Sequence, residues 1–154
     1  MSADILIFAG AMKDRFFSSR WKLLFDRAFF NTHTPVLVVK QLGFIISGPL
    51  SQDMIFREFL ESWTEFQEAN LVGVITDEFG TSNEIDLLLQ SFADKLIKFA
   101  DSGYVNYTFR HEGGFKLFRD EIHANLRIVF RADHRYYKKY GLYNTHPNKV
   151  SLIW

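Results

Sequence analysis

The sequence predicts an α/β domain: a parallel sheet with helices on both faces. Three observations predict it. Short apolar runs alternate with longer stretches of helical periodicity. The runs are apolar at successive positions, as in strands covered on both sides. Each run also ends close to a glycine before the next helix opens. Crossovers between such strands are right-handed.

The first strand is "ILIF", residues 5–8. A helix is expected over Ser18 to Asn31, because Trp21, Leu24, Phe25, Ala28 and Phe29 fall at the three-and-four spacing of one face. Asn31 suits its end, and Pro35 prevents continuation. "GFIISGPLSQ" holds the second strand, closed by Gly48-Pro49. A second helix is expected from about Gln52 to Asn70, with Phe56, Phe59, Leu60, Trp63 and Phe66 on its inner stripe. "LVGVIT", residues 71–76, is the third strand. Thr81 and Glu84 then have capping-box spacing and open a helix that carries Ile85, Leu88, Leu89, Phe92, Leu96 and Phe99. Gly103 stops it.

The C-terminal part is less regular. "YVNYTF" reads as a short strand or an extended loop. Gly113-Gly114 is expected to break the chain before a helix with Phe115, Phe118, Ile122, Leu126 and Val129. The stretch from Arg131 onward either continues that helix or forms a short one of its own. With no linker, repeat or low-complexity stretch, residues 1–154 read as one domain, with a strand–helix core at 1–102 and an extension at 103–154.

Composition narrows the function classes. Eighteen basic residues balance 18 acidic ones, which leaves no global field for nucleic acid or an anionic membrane. Residues 51–102 are nevertheless rich in acids and 115–154 in bases, so the two segments are expected to lie near each other, within one subunit or across two. Arg131, Arg135, Lys138 and Lys139 interleave with Tyr136, Tyr137 and Tyr140, a pattern that can stack on single-stranded nucleic acid. With zero net charge it reads better as a solvated or interface helix. Lacking cysteine, the chain has no disulfides, thiolate metal sites or iron–sulfur clusters. Its apolar runs are too short for a membrane helix, and Asp4 interrupts any signal-peptide reading, so a cytoplasmic protein is expected. The 17 phenylalanines point to a core of large side chains, or to an aromatic surface buried by a second subunit.

The five histidines show no i, i+4 pair that would hold a metal on a helix. His134, beside Asp133, reads as a surface helix pair, and His33 as structural. Lys22 and Asp26 are spaced for an ion pair on the outer face of the first helix. In a parallel sheet the ligand crevice lies beyond the carboxyl ends of the strands, here the loops 10–18, 47–52 and 77–82. Gly10 and Ala11 are small enough for close approach to a flat ligand. Met12, Phe16 and Phe17 offer apolar contact, and Ser18 can expose helix amides. Gly48 and Pro49 form a turn whose main chain can meet a heterocycle's polar edge. Ordinary strand–helix turns look the same, and residue types alone do not separate the two.

"DILIFAGAMKDRFFSSRWKLLFDR" resembles the third strand, loop and helix of the flavodoxin-like NAD(P)H-dependent FMN reductases. The matching positions are Asp4, Ser18, Lys22, Asp26 and Arg27, with no gap. "KQLGFIISGPLSQ" resembles that family's next strand with its flavin-facing loop, and "NLVGVITDE" the fifth strand. The likeness covers roughly residues 3–100, and the tail resembles the C-terminal extension of one subgroup. It implies a flavodoxin-like fold with FMN as cofactor and NAD(P)H as hydride donor to an unknown acceptor. Contacts would come from Gly10, Ala11, Met12, Lys13, Phe16, Phe17 and Ser18 on one side of the ring. Ser47, Gly48, Pro49 and Leu50 would line the other. No general acid or base is assigned.

The chain departs from that family in two ways. The family's small or proline residues and aromatic in the first loop are replaced here by Ala11, Met12, Lys13 and Asp14. Nothing matches the family's first strand, its phosphate loop or its second strand, so the chain reads as an N-terminally truncated member that starts at strand three. The missing first strand would lie beside "ILIF", so that strand is expected to be an exposed edge, covered by a homo-oligomer partner or by a missing N-terminal portion. Losing two or three phosphate hydrogen bonds, at about 1.5–3 kcal/mol each, weakens FMN on the order of a thousandfold or more. FMN binding by this chain alone is therefore expected to be weak or absent. The alternative function is a non-catalytic oligomerising domain that kept the sheet and lost the cofactor.

Overall fold

The computed structural model describes residues 3–13, 16–28 and 33–144, and the side chains of Phe16 and Phe17 fall outside that description. The elements are β1 (Ile5–Lys13), β2 (Phe16–Phe17), α1 (Ser19–Ala28), β3 (Gln41–Ser47), α2 (Met54–Phe66), β4 (Asn70–Thr76), α3 (Ser82–Ser102), α4 (Phe109–Ala124) and α5 (Arg131–Lys139). The sheet order is β2-β1-β3-β4. β1, β3 and β4 run parallel, as the apolar runs predict, while β2 returns antiparallel along the end of β1. The expected end of the first helix, at Phe29 and Asn31, lies outside the described residues.

Helices cover both faces of the sheet. Trp21 and Phe25 of α1 and Phe56, Leu60 and Trp63 of α2 pack with Leu42, Phe44 and Ile46 of β3, joined by Leu6 and Phe8 of β1. On the other face Phe92 and Leu96 of α3 meet Val72, Ile5 and Ile45. β3 is central and its apolar side chains Leu42, Phe44 and Ile46 are wholly buried. β1 is not: Ile7 is 50% exposed.

Local chemistry sets the helix ends. Asp53 caps α2 by accepting from the Phe56 amide at 2.9 Å, so α2 starts later than Gln52. It also ends earlier than expected, at Phe66, before Glu68 takes a left-handed conformation (φ 57°). Thr81 and Glu84 form the expected capping box on α3, and Gly103 (φ 63°) ends it.

The extension departs from expectation at one point, Gly113-Gly114. Residues 104–108 form a connection outside the sheet, as the loop alternative had it, held by Gln41 Nε2 donating to the Tyr104 carbonyl (2.9 Å) and the Asn106 amide donating to Asn70 Oδ1 (3.0 Å). Gln41 and Asn70 are themselves buried and bonded to each other at 2.6 Å, so this polar pair is satisfied. Gly113-Gly114 does not break the chain, because α4 starts at Phe109 behind a Thr108 cap and runs through both glycines. A Cβ on Gly114 would sit 2.9 Å from Cε1 of Phe66, so this glycine serves the close approach of α4 to α2. α5 is a separate helix, as one of the two expectations had it. It grips the segment before β3: Asp133 meets His33 at 3.1 Å, Tyr137 donates its hydroxyl to the His33 carbonyl, and Phe118 and Phe130 flank the imidazole. The Asp133–His33 pair replaces the expected surface pairing with His134, whose Nδ1 contacts the Tyr143 hydroxyl at 2.9 Å instead.

Gly43 is the tightest point of the sheet, since a Cβ there would penetrate the ring of Phe92. Gly43→Ala should destabilise the protein by about 1–3 kcal/mol through overpacking. The double variant Gly43→Ala/Phe92→Leu should cost less than the two single changes summed. Urea midpoints of the three variants check this, and simple additivity would contradict the contact.

Candidate functional site

The first expected loop is largely strand. β1 continues through Lys13, and Met12 and Lys13 pair with Phe17 and Phe16, which gives this end of the strand partners on its outer side. Gly10 faces α1, and the indole of Trp21 occupies the space a side chain there would need. On the solvent face of α1, Lys22 and Asp26 pair at 2.9 Å as their spacing predicts.

A cavity of about 610 Å³ follows the outer side of β1. Ile7, Phe8, Ala9, Gly10, Ala11, Met12 and Lys13 form one wall, and Ser18, Arg20, Trp21 and Leu24 form the other. Of the expected cofactor contacts, Gly10, Ala11, Met12, Lys13 and Ser18 therefore come together. Phe16 and Phe17 lie nearby as β2, but their side chains are outside the described residues.

The second expected group is turned elsewhere. Gly48 (φ 119°) takes a backbone conformation that favours glycine, and its amide donates to Asp77 Oδ1 at 2.8 Å. Ser47 Oγ donates to Asp77 Oδ2 at 2.7 Å, and the Gly48 carbonyl accepts from Thr76 Oγ1 at 3.0 Å. The Ser51 amide and hydroxyl both donate to Glu78. The donors expected to face a heterocycle are thus taken by the two carboxylates that follow β4. Leu50 is 4% exposed and belongs to the same core cluster as Ile46, Phe56 and Leu60, away from the cavity wall. Pro49 is half-buried and not part of the cavity wall. The two loops do approach at one point, where a Cβ on Gly48 would lie 3.2 Å from that of Met12.

The main chain of β1 supplies the site's largest uncommitted polar surface. The Gln41 amide donates to the Asp4 carbonyl at 2.9 Å. In a strand, a residue's N–H and C=O point to one flank and alternate with those of its neighbours. Asp4, Leu6, Phe8 and Gly10 therefore address β3, and Ile5, Ile7, Ala9 and Ala11 point outward. Among the described residues, nothing pairs with Ile5, Ile7 or Ala9, whereas the register of β2 sets Ser18 beside Ala11.

Two features carry no signal in the sequence. Asp77 ties the crevice shut from 30 residues beyond Ser47, and Glu78 from 27 beyond Ser51, which leaves no local pattern. Arg20 reaches the cavity from α1, where a surface arginine looks like any other. Elsewhere, His111 is 3% exposed on α4 and neither ring nitrogen has a hydrogen-bond partner among the described residues. Burial raises the nearby Glu68 carboxyl, while the charge of His111 pulls it the other way. Among the described residues no His, Asp or Glu cluster is built to hold a metal, and no helix is long and apolar enough to cross a membrane.

No family model matches the chain, and neither a curated protein nor a solved structure matches it.

The Ser47 hydroxyl, and after it the Gly48 amide, hold the Asp77 carboxyl below its usual range. Because the folded value is depressed, the stability this latch contributes is present above the ordinary value of 3.8 and is lost as pH falls through the folded value. Asp77→Ala should lower stability by about 1 kcal/mol or less, given the exposure of the site. The gap from wild type should close as pH falls. A gap that persists unchanged in acid, measured by urea unfolding, would contradict the latch.

Proposed function

We propose that this chain is a non-catalytic assembly domain with a flavodoxin-like sheet, which works by adding the open edge of β1 to another strand. One observation carries this reading. The outward N–H and C=O groups of Ile5, Ile7 and Ala9 are unpaired among the described residues, along an apolar-walled cavity. Such a row is a template for strand addition: main-chain hydrogen bonds supply affinity and flanking side chains supply specificity. The strand order β1-β3-β4, with α1 and α2 on one face and α3 on the other, supports a flavodoxin-like arrangement of the family's strands three to five. The crevice supports loss of the cofactor, because Asp77 and Glu78 already hold the donors of the second loop.

A second reading is an FMN-dependent NAD(P)H oxidoreductase-like domain, and the cavity favours it. Its volume of about 610 Å³ falls within the ~300–1,000 Å³ of small-molecule sites. Ala9, Gly10, Ala11 and Met12 would give a flat ring an apolar wall, with Lys13, Arg20 and Ser18 as polar groups beside it. A bound flavin would itself supply hydride transfer from a nicotinamide to an acceptor. The residues fit the face of such a ring but not its polar rim, since Ser47 and Gly48 are latched to Asp77.

A fluorescence titration with FMN and with riboflavin separates the two readings. The assembly reading expects a flat response to about 100 µM protein for both ligands, and no oxidation of NADPH. Saturable quenching that is tighter for FMN than for riboflavin would overturn it in favour of the oxidoreductase reading.

A further inference from the structure

We propose that the strand added to β1 is β1 of a second copy of this chain, antiparallel, with the twofold axis passing beside Ile7. This rests on the assembly reading and names the partner.

The register follows from which groups are free. β2 occupies the edge at Met12 and Lys13 and sets Ser18 beside Ala11, so the outward residues open to pairing are Ile5, Ile7 and Ala9, whose midpoint is Ile7. Antiparallel pairing about that midpoint sets Ile5 opposite Ala9 of the second copy and Ile7 opposite its own copy. All are outward residues, so each pair exchanges both main-chain bonds, about six hydrogen bonds in all. A specific interface typically carries about ten. A shift of the sum of paired positions by one would set outward groups against inward ones and lose the ladder.

In the same register Ile5 meets Ala9 on the α3 face, a large residue against a small one, and Ile7 meets its own copy at the axis. On the α1 face Leu6 meets Phe8, which is stacked on Phe44 at 5.5 Å. The apolar surface beside the edge would be buried with it, notably Ile7 at 50% exposure and Leu24 of α1 at 38%.

Charge selects the antiparallel sense. Asp4 stands at the amino end of the edge with its side chain 76% exposed, its Oδ1 held by Lys40 at 2.7 Å. Lys13 and Arg20 stand at the carboxyl end, both exposed on the cavity wall. Antiparallel self-pairing brings each acidic end to a basic one, whereas a parallel copy would set like charges together. With zero net charge on the chain, no overall repulsion opposes association.

Sedimentation velocity of the full chain from about 1 to 300 µM tests the proposal. Wild type should shift from monomer to dimer with concentration. Ala9→Pro, which removes one outward N–H from each copy and sets a ring in the edge, should weaken the dimer on the order of 100-fold. Lys13→Glu alone and Asp4→Lys alone should each weaken it about tenfold. An equimolar mixture of these two variants should regain the wild-type association, because each acidic end then meets a basic one. Circular dichroism on every variant confirms folding. A chain that stays monomeric, a dimer indifferent to Ala9→Pro, or a mixture that associates no better than its parts would overturn self-pairing. Flavin titration of the same samples judges the assembly reading separately.

Discussion

Every residue of a β-strand carries main-chain polar groups that need partners, and a strand inside a sheet finds them on two flanks. In β1, among the described residues, only the flank toward β3 is met over Ile5–Gly10. The rest of the molecule is arranged around that imbalance. β3 has a neighbour on each side and a helix layer on each face, so Leu42, Phe44 and Ile46 are fully buried. β1 gives Leu6 and Phe8 to the same core yet leaves Ile7 half in solvent. The open edge, the cavity beside it and the exposed apolar side chains are one feature with one cause.

The carboxyl end of the sheet is organised differently. Such an end offers amides and hydroxyls to a ligand in many α/β proteins, but here Asp77 and Glu78 accept from Ser47, Gly48 and Ser51. The latch closes the crevice with the chain's own carboxylates. A ligand at that rim would have to displace charge-assisted hydrogen bonds, each about twice as strong as a neutral one. The outer flank of β1 has no such competitor among the described residues, which is why the assembly reading and the crevice geometry point the same way.

What could be read from sequence was local. Thr81, Glu84 and Gly103 specify the ends of α3 by chemistry within a turn of themselves, and the structure agrees with them. The apolar runs gave the parallel strands for the same reason. Gly113-Gly114 was illegible, because a glycine that breaks a helix and one that admits a neighbour look alike until Phe66 is placed against it. Leu50 looked like loop and proved to be core, since burial depends on α2 folding over it. At the candidate site, Gly10 to Lys13 and Ser18 did converge. The Asp77 latch and the outward row of β1 depend on register between distant strands, which residue type does not encode.

The central claim is that β1 has a free flank in the single chain, and amide hydrogen exchange measures it most directly. On dilute, monomeric protein, exchange should alternate along the strand: slow at Leu6, Phe8 and Gly10, whose amides face β3, and fast at Ile7 and Ala9. Equal, strong protection at both sets in the monomer would contradict the claim, for it would mean that the chain seals its own edge.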